Sequence, residues 1–158
     1  MKRELIRITF VGDIMCERPL LKAYFMNKGY DFRPVFEATK KLFNESDFVI
    51  GNLETVFAGK EVGYTNSLYS FNTPDEFLDA LKESGIDLFL TANNHCLDRG
   101  IDGLKRTIHE LDSRNMAHIG TYLNEKEQKK IFVKDIHGIK IAFLNYTYGT
   151  GIKDNHVI

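Results

Sequence analysis

Three segments of the chain are almost continuously hydrophobic, and each leads into polar residues. They cover residues 6–11, 48–53 and 86–92, and their polar ends are Gly12-Asp13, Asn52-Leu53-Glu54 and Asn93-Asn94-His95. Short apolar runs rich in β-branched and aromatic residues predict β-strands. Strands that are apolar on both faces are typical of parallel sheets covered on two sides. The pattern therefore predicts a parallel sheet whose strands end in polar loops.

The segments between these strands have the spacing of amphipathic helices. Residues 35–43 and 104–111 place their apolar side chains on one helical face. The run Thr73-Pro74-Asp75-Glu76 has the form of a helix start, with Thr73 as N-cap, and Gly85 marks the end of that helix. Strands that alternate with helices indicate an α/β fold in which crossover helices connect parallel strands.

The C-terminal third of the chain departs from this alternation. Residues 117–119 predict a short fourth strand. Residues 131–136 and 139–146 flank His137-Gly138, which is the pattern of an antiparallel hairpin. Neither an internal repeat nor a linker is visible, so residues 1–158 are interpreted as part of one domain.

The charge balance and the cysteine count exclude several classes of protein. The 158 residues include 21 Lys and Arg against 22 Asp and Glu, which gives a net charge of −1 with neutral histidines. Nucleic acids and anionic membranes are bound through clustered basic residues, so we expect no nucleic acid partner. Cys16 and Cys96 are too few for a disulfide scaffold and lack the spacing of a zinc finger or thioredoxin motif.

The hydrophobic segments are too short to cross a bilayer. None approaches the ~20 residues that a membrane-spanning helix requires. The N-terminal residues lead directly into the first strand, without the apolar region and cleavage site of a signal peptide. The chain as given is therefore predicted to have no transmembrane segment and no export signal, which leaves its compartment undetermined.

Potential metal ligands follow three successive strands. Asp13 comes after the first strand, Asn52 and Glu54 end the second, and Asn94 and His95 follow the third. Ligands of open α/β sheets bind beyond the carboxyl ends of the strands, where these side chains are expected to meet. Carboxylate, amide and imidazole groups suit Mn, Fe or Mg better than a soft metal ion. The sequence therefore predicts a divalent metal site at this edge.

The polar loops and the predicted hairpin also carry a family resemblance. Its motifs are Gly12-Asp13-Ile14-Met15, Asn52-Leu53-Glu54, Ala92-Asn93-Asn94-His95-Cys96-Leu97-Asp98-Arg99-Gly100 and Gly138-Ile139-Lys140-Ile141-Ala142-Phe143-Leu144. They resemble the bacterial capsule synthesis protein CapA family, which is linked to poly-gamma-glutamate biosynthesis and belongs to the calcineurin-like metallophosphatase superfamily. The resemblance covers only the N-terminal part of the family's domain. It implies a metallophosphatase-like α/β fold, of which this chain is predicted to be an incomplete domain.

The resemblance also implies roles for individual residues. Asp13 would bind the first metal ion, Glu54 would be the bridging carboxylate, and Asn94 would bind the second ion. His95 would be the catalytic residue, as proton donor or phosphate contact, and Asn52 and Asn93 would contact the substrate. Two divalent ions in the full-length protein would activate a water molecule and stabilise the charge that develops during phosphoryl transfer.

The family further implies partners and a second class of function. Its members suggest a phosphoester or polyglutamate-type substrate, membrane proteins of capsule synthesis as partners, and an association with the cell envelope. The expected activity is that of a metal-dependent phosphoesterase-like hydrolase. The alternative is a non-catalytic protein that binds polymer or assembles the capsule machinery, and the motifs are compatible with both.

Several other residues allow more than one interpretation. Asp98 is more readily explained as a cap of the following helix than as a ligand. Tyr64, Tyr69 and Phe71 lie in the long connection 54–72, where they either line a substrate groove or pack the loop against the domain. Cys16 and Cys96 lie close in sequence to the candidate ligands, although a buried and inert cysteine is the more common case.

Overall fold

The computed structural model describes residues 5–67 and 70–150 of the chain. Among these residues the strands are β1 to β8: Ile8–Ile14, Phe25–Met26, Gly29–Tyr30, Phe48–Leu53, Leu88–Leu90, Ala117–Ile119, Phe132–Ile136 and Ile139–Phe143. The helices are α1 to α5: Arg18–Ala23, Arg33–Phe43, Glu76–Ser84, Gly100–Ser113 and Glu125–Gln128. A single 3₁₀ turn covers Lys60–Val62.

A four-stranded parallel sheet forms the centre of the fold, in the order β1-β4-β5-β6. Parallel neighbours need crossover connections, and α2, α3 and α4 lie in the three connections between these strands. Strands β7 and β8 form the antiparallel hairpin that the sequence predicts around His137-Gly138. The metallophosphatase-like α/β class, with parallel strands, crossover helices and a C-terminal hairpin, is thus confirmed. That the chain is an incomplete domain stays a prediction.

Both faces of the central strands β4 and β5 are covered, which explains why these two strands are largely apolar, whereas the edge strand β1 has no buried residue and exposes Phe10. Val49, Leu53 and Phe89 pack into the larger core with α2 and α3. Ile50 and Leu88 face the other way and pack against the β7–β8 hairpin. Successive side chains of a strand point to opposite faces. Alternate residues of β4 therefore pack into the two different cores.

Strand β1 is displaced relative to its prediction. The sequence predicts a strand over residues 6–11, whereas β1 covers Ile8–Ile14. The register against β4 shifts between Val11 and Asp13, so that Gly12 is an extra residue without a partner. Such a bulge lets pairing continue beyond the glycine. As a result Asp13 is paired with Asn52 inside the sheet.

The third predicted strand is shorter than its apolar run. The sequence predicts a strand over residues 86–92, whereas β5 is limited to Leu88–Leu90. Beyond it, the Thr91 amide still donates to the Ile119 carbonyl at 2.9 Å. The backbone therefore leaves the ladder directly before the loop that contains His95.

The start of α3 differs from the prediction, whereas its end agrees. The sequence predicts Thr73 as the N-cap, but the helix begins at Glu76 after Asp75 and has no side-chain cap. The Thr73 hydroxyl instead forms a buried hydrogen bond of 2.7 Å with Thr55. Gly85 ends the helix in the left-handed conformation, with a φ of 96°, as predicted. At Thr73, a tertiary hydrogen bond thus takes the place of the local capping interaction.

Three small elements are not apparent from the sequence. Helix α1 has six residues and β2 and β3 have two residues each. Elements this short do not complete a recognisable hydrophobic period. Among the described residues there is no helix with the length and apolar character needed to span a membrane.

Candidate functional site

The ends of β1, β4 and β5 bring together the side chains predicted at this edge of the sheet. Asn52 Nδ2 donates to Asp13 Oδ1 at 2.8 Å and to Glu54 Oε2 at 3.3 Å. His95 Nε2 lies 3.8 Å from Glu54 Oε1. The amide of Asn52 therefore holds the two carboxylates side by side, and the imidazole closes the group beside Glu54.

Asn93 connects this group to the loop after β5. Its Nδ2 donates to Asn52 Oδ1 at 3.1 Å and to the Leu53 carbonyl at 2.9 Å. Its Oδ1 accepts the His95 amide at 3.0 Å. Since Asn93 is buried and its amide is engaged within the protein, these contacts hold Asn52 and His95 in place. The substrate contacts assigned to Asn52 and Asn93 stay predictions.

Asn94 lies at the same edge but apart from these contacts. It is exposed, between the buried Asn93 and the half-buried His95. Within the described part of the chain its side chain makes no hydrogen bond. Its amide oxygen is thus available to an ion, and its role as a metal ligand stays a prediction.

The two carboxylates have opposite pKa shifts. The hydrogen bond donated by Asn52 lowers the pKa of Asp13. The pKa of Glu54 is raised to about 6, mainly by burial and additionally by its interaction with Asp13. Two neighbouring carboxylates resist ionising together. Glu54 therefore retains a proton more readily than an ordinary glutamate when no cation is bound.

Asp98 holds the other side of the His95 ring. Its Oδ2 lies 2.9 Å from His95 Nδ1 and accepts the Phe71 amide at 2.6 Å. The interpretation of Asp98 as a helix cap is wrong, because α4 begins after Arg99 and has no side-chain cap. A carboxylate at Nδ1 fixes the proton on that nitrogen. The other ring nitrogen, Nε2, lies on the Glu54 side.

The aromatic residues of the long connection have different surroundings. Phe71 is buried, and its ring centroid lies 4.5 Å from that of His95. Tyr64 packs edge-on against Tyr30 at 5.7 Å. Both residues thus pack the loop, and Phe71 also shapes the site, whereas Tyr69 lies outside the described residues.

The cysteines are not linked to each other. Both are free and buried, Cys16 in the larger core and Cys96 in a small cluster with Leu97, Leu104 and Ile108. Burial raises the pKa of the Cys16 thiol to about 12. These surroundings favour the buried, inert alternative for both cysteines.

The donor types at this edge suit a hard divalent ion. Asp13 and Glu54 supply carboxylate oxygens, Asn94 an amide oxygen and His95 an imidazole nitrogen, which fits Mn, Fe or Mg. Close carboxylates with a raised pKa at Glu54 are the electrostatic situation that a cation relieves. In the described residues, no three His, Cys, Asp or Glu side chains are arranged around one point as an ion requires. The chemistry thus fits, and the ligand shell is partial.

Asn145 is a supporting residue that sequence reasoning missed. Its Oδ1 accepts the Ala92 amide at 2.7 Å, and its Nδ2 donates to the Ala92 carbonyl at 3.2 Å. Gly120, with a φ of 113°, passes so close that a Cβ there would lie 2.6 Å from the Ala92 nitrogen. An asparagine two residues after the end of the apolar strand β8 is the signal that could have drawn attention to it.

Comparison with known proteins matches this chain to one family. The family model described as bacterial capsule synthesis protein PGA_cap matches residues 7–157. A relative from Bacillus subtilis (strain 168), "PGA biosynthesis protein CapA", is 31% identical over 150 residues, covering 94% of this chain and 39% of the relative. "Capsule biosynthesis protein CapA" from Bacillus anthracis is 30% identical over 149 residues, covering 92% of this chain and 36% of the relative.

The region matched by the family model contains the candidate site. The chain spans less than two fifths of the length of either relative. The family model, in contrast, covers nearly all of the chain, from β1 through the hairpin. It therefore includes every polar residue gathered at the carboxyl ends of β1, β4 and β5. The chain belongs to the family of bacterial capsule synthesis proteins of the PGA_cap type.

Proposed function

We propose that this chain carries the metal-binding part of a phosphoesterase-like hydrolase that acts in capsule or poly-gamma-glutamate biosynthesis. The observation that carries the proposal is the contact of Asn52 with both Asp13 and Glu54, with His95 beside Glu54. Carboxylates and an imidazole at the carboxyl edge of a parallel sheet are the groups that metal-assisted hydrolysis uses. The family and the names of the Bacillus relatives support the biosynthetic context.

Asp13, Glu54 and Asn94 would hold Mn, Fe or Mg ions, two of them in the full-length protein. Bound there, divalent ions supply charge stabilisation and lower the pKa of coordinated water. Asn52 orients both carboxylates toward that position through its Nδ2 contacts. In this proposal, the protein contributes two carboxylates that are held close together at the edge of the sheet.

His95 would act as the proton donor to the leaving oxygen. Asp98 engages Nδ1, so the proton that His95 would donate is the Nε2 proton of the doubly protonated ring, and the neutral ring would keep its proton on Nδ1. The Phe71 ring covers one side of the imidazole and limits its rotation. An oriented imidazole at the rim of an anionic group is suited to protonating an alkoxide as it forms.

The substrate we propose is a phosphoester or a polyglutamate-type polymer. Membrane proteins of capsule synthesis are the proposed partners, and the cell envelope is the proposed location. These assignments follow the family description and the relatives' names, which concern proteins more than twice as long as this chain.

The test compares the complete gene product with two glutamate variants. Calorimetric titration with Mn²⁺ and hydrolysis of bis(p-nitrophenyl) phosphate are measured for the native protein, Glu54→Gln and Glu61→Gln. Glu61 is the matched control, because it lies on the same long connection with its side chain 83% exposed. We expect Mn²⁺ binding and turnover in the native protein and in Glu61→Gln, and loss of both in Glu54→Gln.

Two other results would argue against the hydrolase. Hydrolysis that is unchanged in Glu54→Gln would remove Glu54 from the site. A protein that binds polyglutamate but neither Mn²⁺ nor the phosphodiester would support the alternative, a non-catalytic polymer-binding or assembly component.

A further inference from the structure

The connection between β4 and α3 is organised around the side chain of Asn72. Asn72 is fully buried. Its Nδ2 donates to the carbonyls of Gly59 and Gly63, both at 2.8 Å, and its Oδ1 accepts the Ala58 amide at 2.8 Å. Both N–H groups and the carbonyl of this amide are therefore used to close the loop.

The glycines explain why these carbonyls can meet at one point. Gly59 and Gly63 have φ values of 88° and 74°. This left-handed backbone, which is accessible mainly to glycine, flanks the 3₁₀ turn Lys60–Val62. The Asn72 Nδ2 is the hydrogen-bond donor between the two carbonyls.

The backbone of Asn72 is fixed as tightly as its side chain. Its amide donates to Thr65 Oγ1 at 3.0 Å, and its carbonyl accepts the Thr65 amide at 2.9 Å and the Thr65 hydroxyl at 3.1 Å. Thr65 is itself buried. The chain is thus held in place at the residue that directly follows Phe71.

Phe71 connects Asn72 to the candidate site by direct contacts with Asp98 and His95. Its amide donates to Asp98 Oδ2 at 2.6 Å, the same oxygen that contacts His95 Nδ1. Its ring lies 4.5 Å from the His95 ring. A displacement of Phe71 would therefore change both the partner and the packing of His95.

We propose that Asn72 is a positioning residue, which holds Phe71 so that Phe71 and Asp98 fix the orientation of the His95 imidazole. Asn72 lies outside the group of Asp13, Asn52 and Glu54, and its connection to His95 is indirect, through the neighbouring Phe71. The effect on the imidazole is independent of the proposed hydrolysis; only its expected effect on rate rests on that function. Buried amides that lose their partners are costly, so we expect the loop to shift when these hydrogen bonds are removed.

The test replaces Asn72 by aspartate in the 158-residue chain and observes His95 by NMR. The Asn72→Asp variant keeps the shape of the side chain but loses both donated hydrogen bonds and faces two carbonyl oxygens with a carboxylate. Asn66→Asp is the matched control, since Asn66 is exposed on the same loop. The readouts are the ¹⁵N shifts of His95, which report the tautomer, and the nuclear Overhauser contacts between the Phe71 and His95 rings.

We expect Asn72→Asp to lose the contacts between the two rings and the preference for a proton on Nδ1, while Asn66→Asp retains both. If the complete gene product hydrolyses phosphodiesters, kcat should fall by up to about 100-fold with little change in KM. A folded Asn72→Asp variant with unchanged His95 signals would overturn the proposal. This readout uses neither metal nor substrate, so its result is separate from that of the hydrolase test.

A second variant decides the question if Asn72→Asp does not fold. Thr65→Val keeps the size of the side chain and removes the hydroxyl that bridges the Asn72 amide and carbonyl. We expect weaker Phe71–His95 contacts in this variant. Unchanged His95 signals in Thr65→Val would likewise overturn the positioning role.

Discussion

Replacing Asp98 by asparagine removes a buried charge without removing the side chain. The Asp98 side chain is 8% exposed, and its Oδ2 contacts both the Phe71 amide and His95 Nδ1. The asparagine oxygen can take the place of Oδ2, so both hydrogen bonds can remain in neutral form. The variant therefore isolates the contribution of the negative charge.

The magnitude follows from the difference between charged and neutral hydrogen bonds. A hydrogen bond to a charged group contributes about 1.5–3 kcal/mol to stability and a neutral one about 0.5–1.5 kcal/mol. The loss is therefore about 1 kcal/mol for each of the two bonds, or about 2 kcal/mol together. For a domain of this size, that lowers the midpoint of thermal unfolding by about 4 to 8 °C.

Urea unfolding and thermal unfolding measure this change directly. Asp102→Asn is the control, because Asp102 is exposed in the first turn of α4 and undergoes the same chemical change. Its loss of a favourable interaction with the helix dipole should cost no more than about 1 kcal/mol. If Asp98→Asn is no more destabilising than Asp102→Asn, the charge of Asp98 does not hold His95 and Phe71.

Three further predictions concern pH, packing and metal binding. Glu54 has a pKa raised from 4.5 to about 6, so the stability it contributes is complete below pH ~4.5 and decreases by about 2 kcal/mol as the pH rises through 6. Urea unfolding should show this decrease in the native chain and in Glu61→Gln, and its persistence in Glu54→Gln would contradict the assignment. Gly120→Ala should destabilise the chain by about 2–4 kcal/mol through overlap with Ala92 and a strained φ. The control Gly138→Ala, which has a positive φ but open space around it, should cost less, and equal losses in urea unfolding would exclude the overlap. The isolated 158-residue chain should bind Mn²⁺ weakly and hydrolyse bis(p-nitrophenyl) phosphate negligibly, because a two-ion site needs more ligands than it supplies; turnover equal to that of the complete gene product would refute this.

The sequence was most informative where local pattern and tertiary structure agree. Strand β4 has the bounds of its apolar run, and Gly85 ends α3 in the left-handed conformation that the pattern indicates. The meeting of Asp13, Glu54 and His95 could be predicted because parallel strands place their carboxyl ends at one edge. These features can be predicted from the hydrophobic pattern of the sequence and from a general rule of sheet topology.

The remaining features depend on contacts between distant segments. Asp98 has the local pattern of a helix cap, but its side chain accepts a hydrogen bond from the Phe71 amide, 27 residues away. Similarly, the Thr73 hydroxyl forms its hydrogen bond with Thr55 and does not cap its own helix. Side chains of Asn, Asp, Ser and Thr accept many backbone and side-chain partners, so the pattern around one such residue does not determine which partner it takes.

The pairing of Ala92 with Asn145 has a consequence for the order in which the protein is made. The two residues are 53 positions apart, and contacts of such separation form only after the entropy of closing the intervening chain has been lost. A ribosome that adds about 5–20 residues each second needs roughly 3 to 10 s to synthesise that interval. Asp13, Glu54 and Asn94 are synthesised before Asn145, while the Ala92 backbone that leads into the His95 loop still lacks its hydrogen bonds to Asn145. The side chains of the candidate site are thus synthesised seconds before the hydrogen bonds between Asn145 and Ala92 can form.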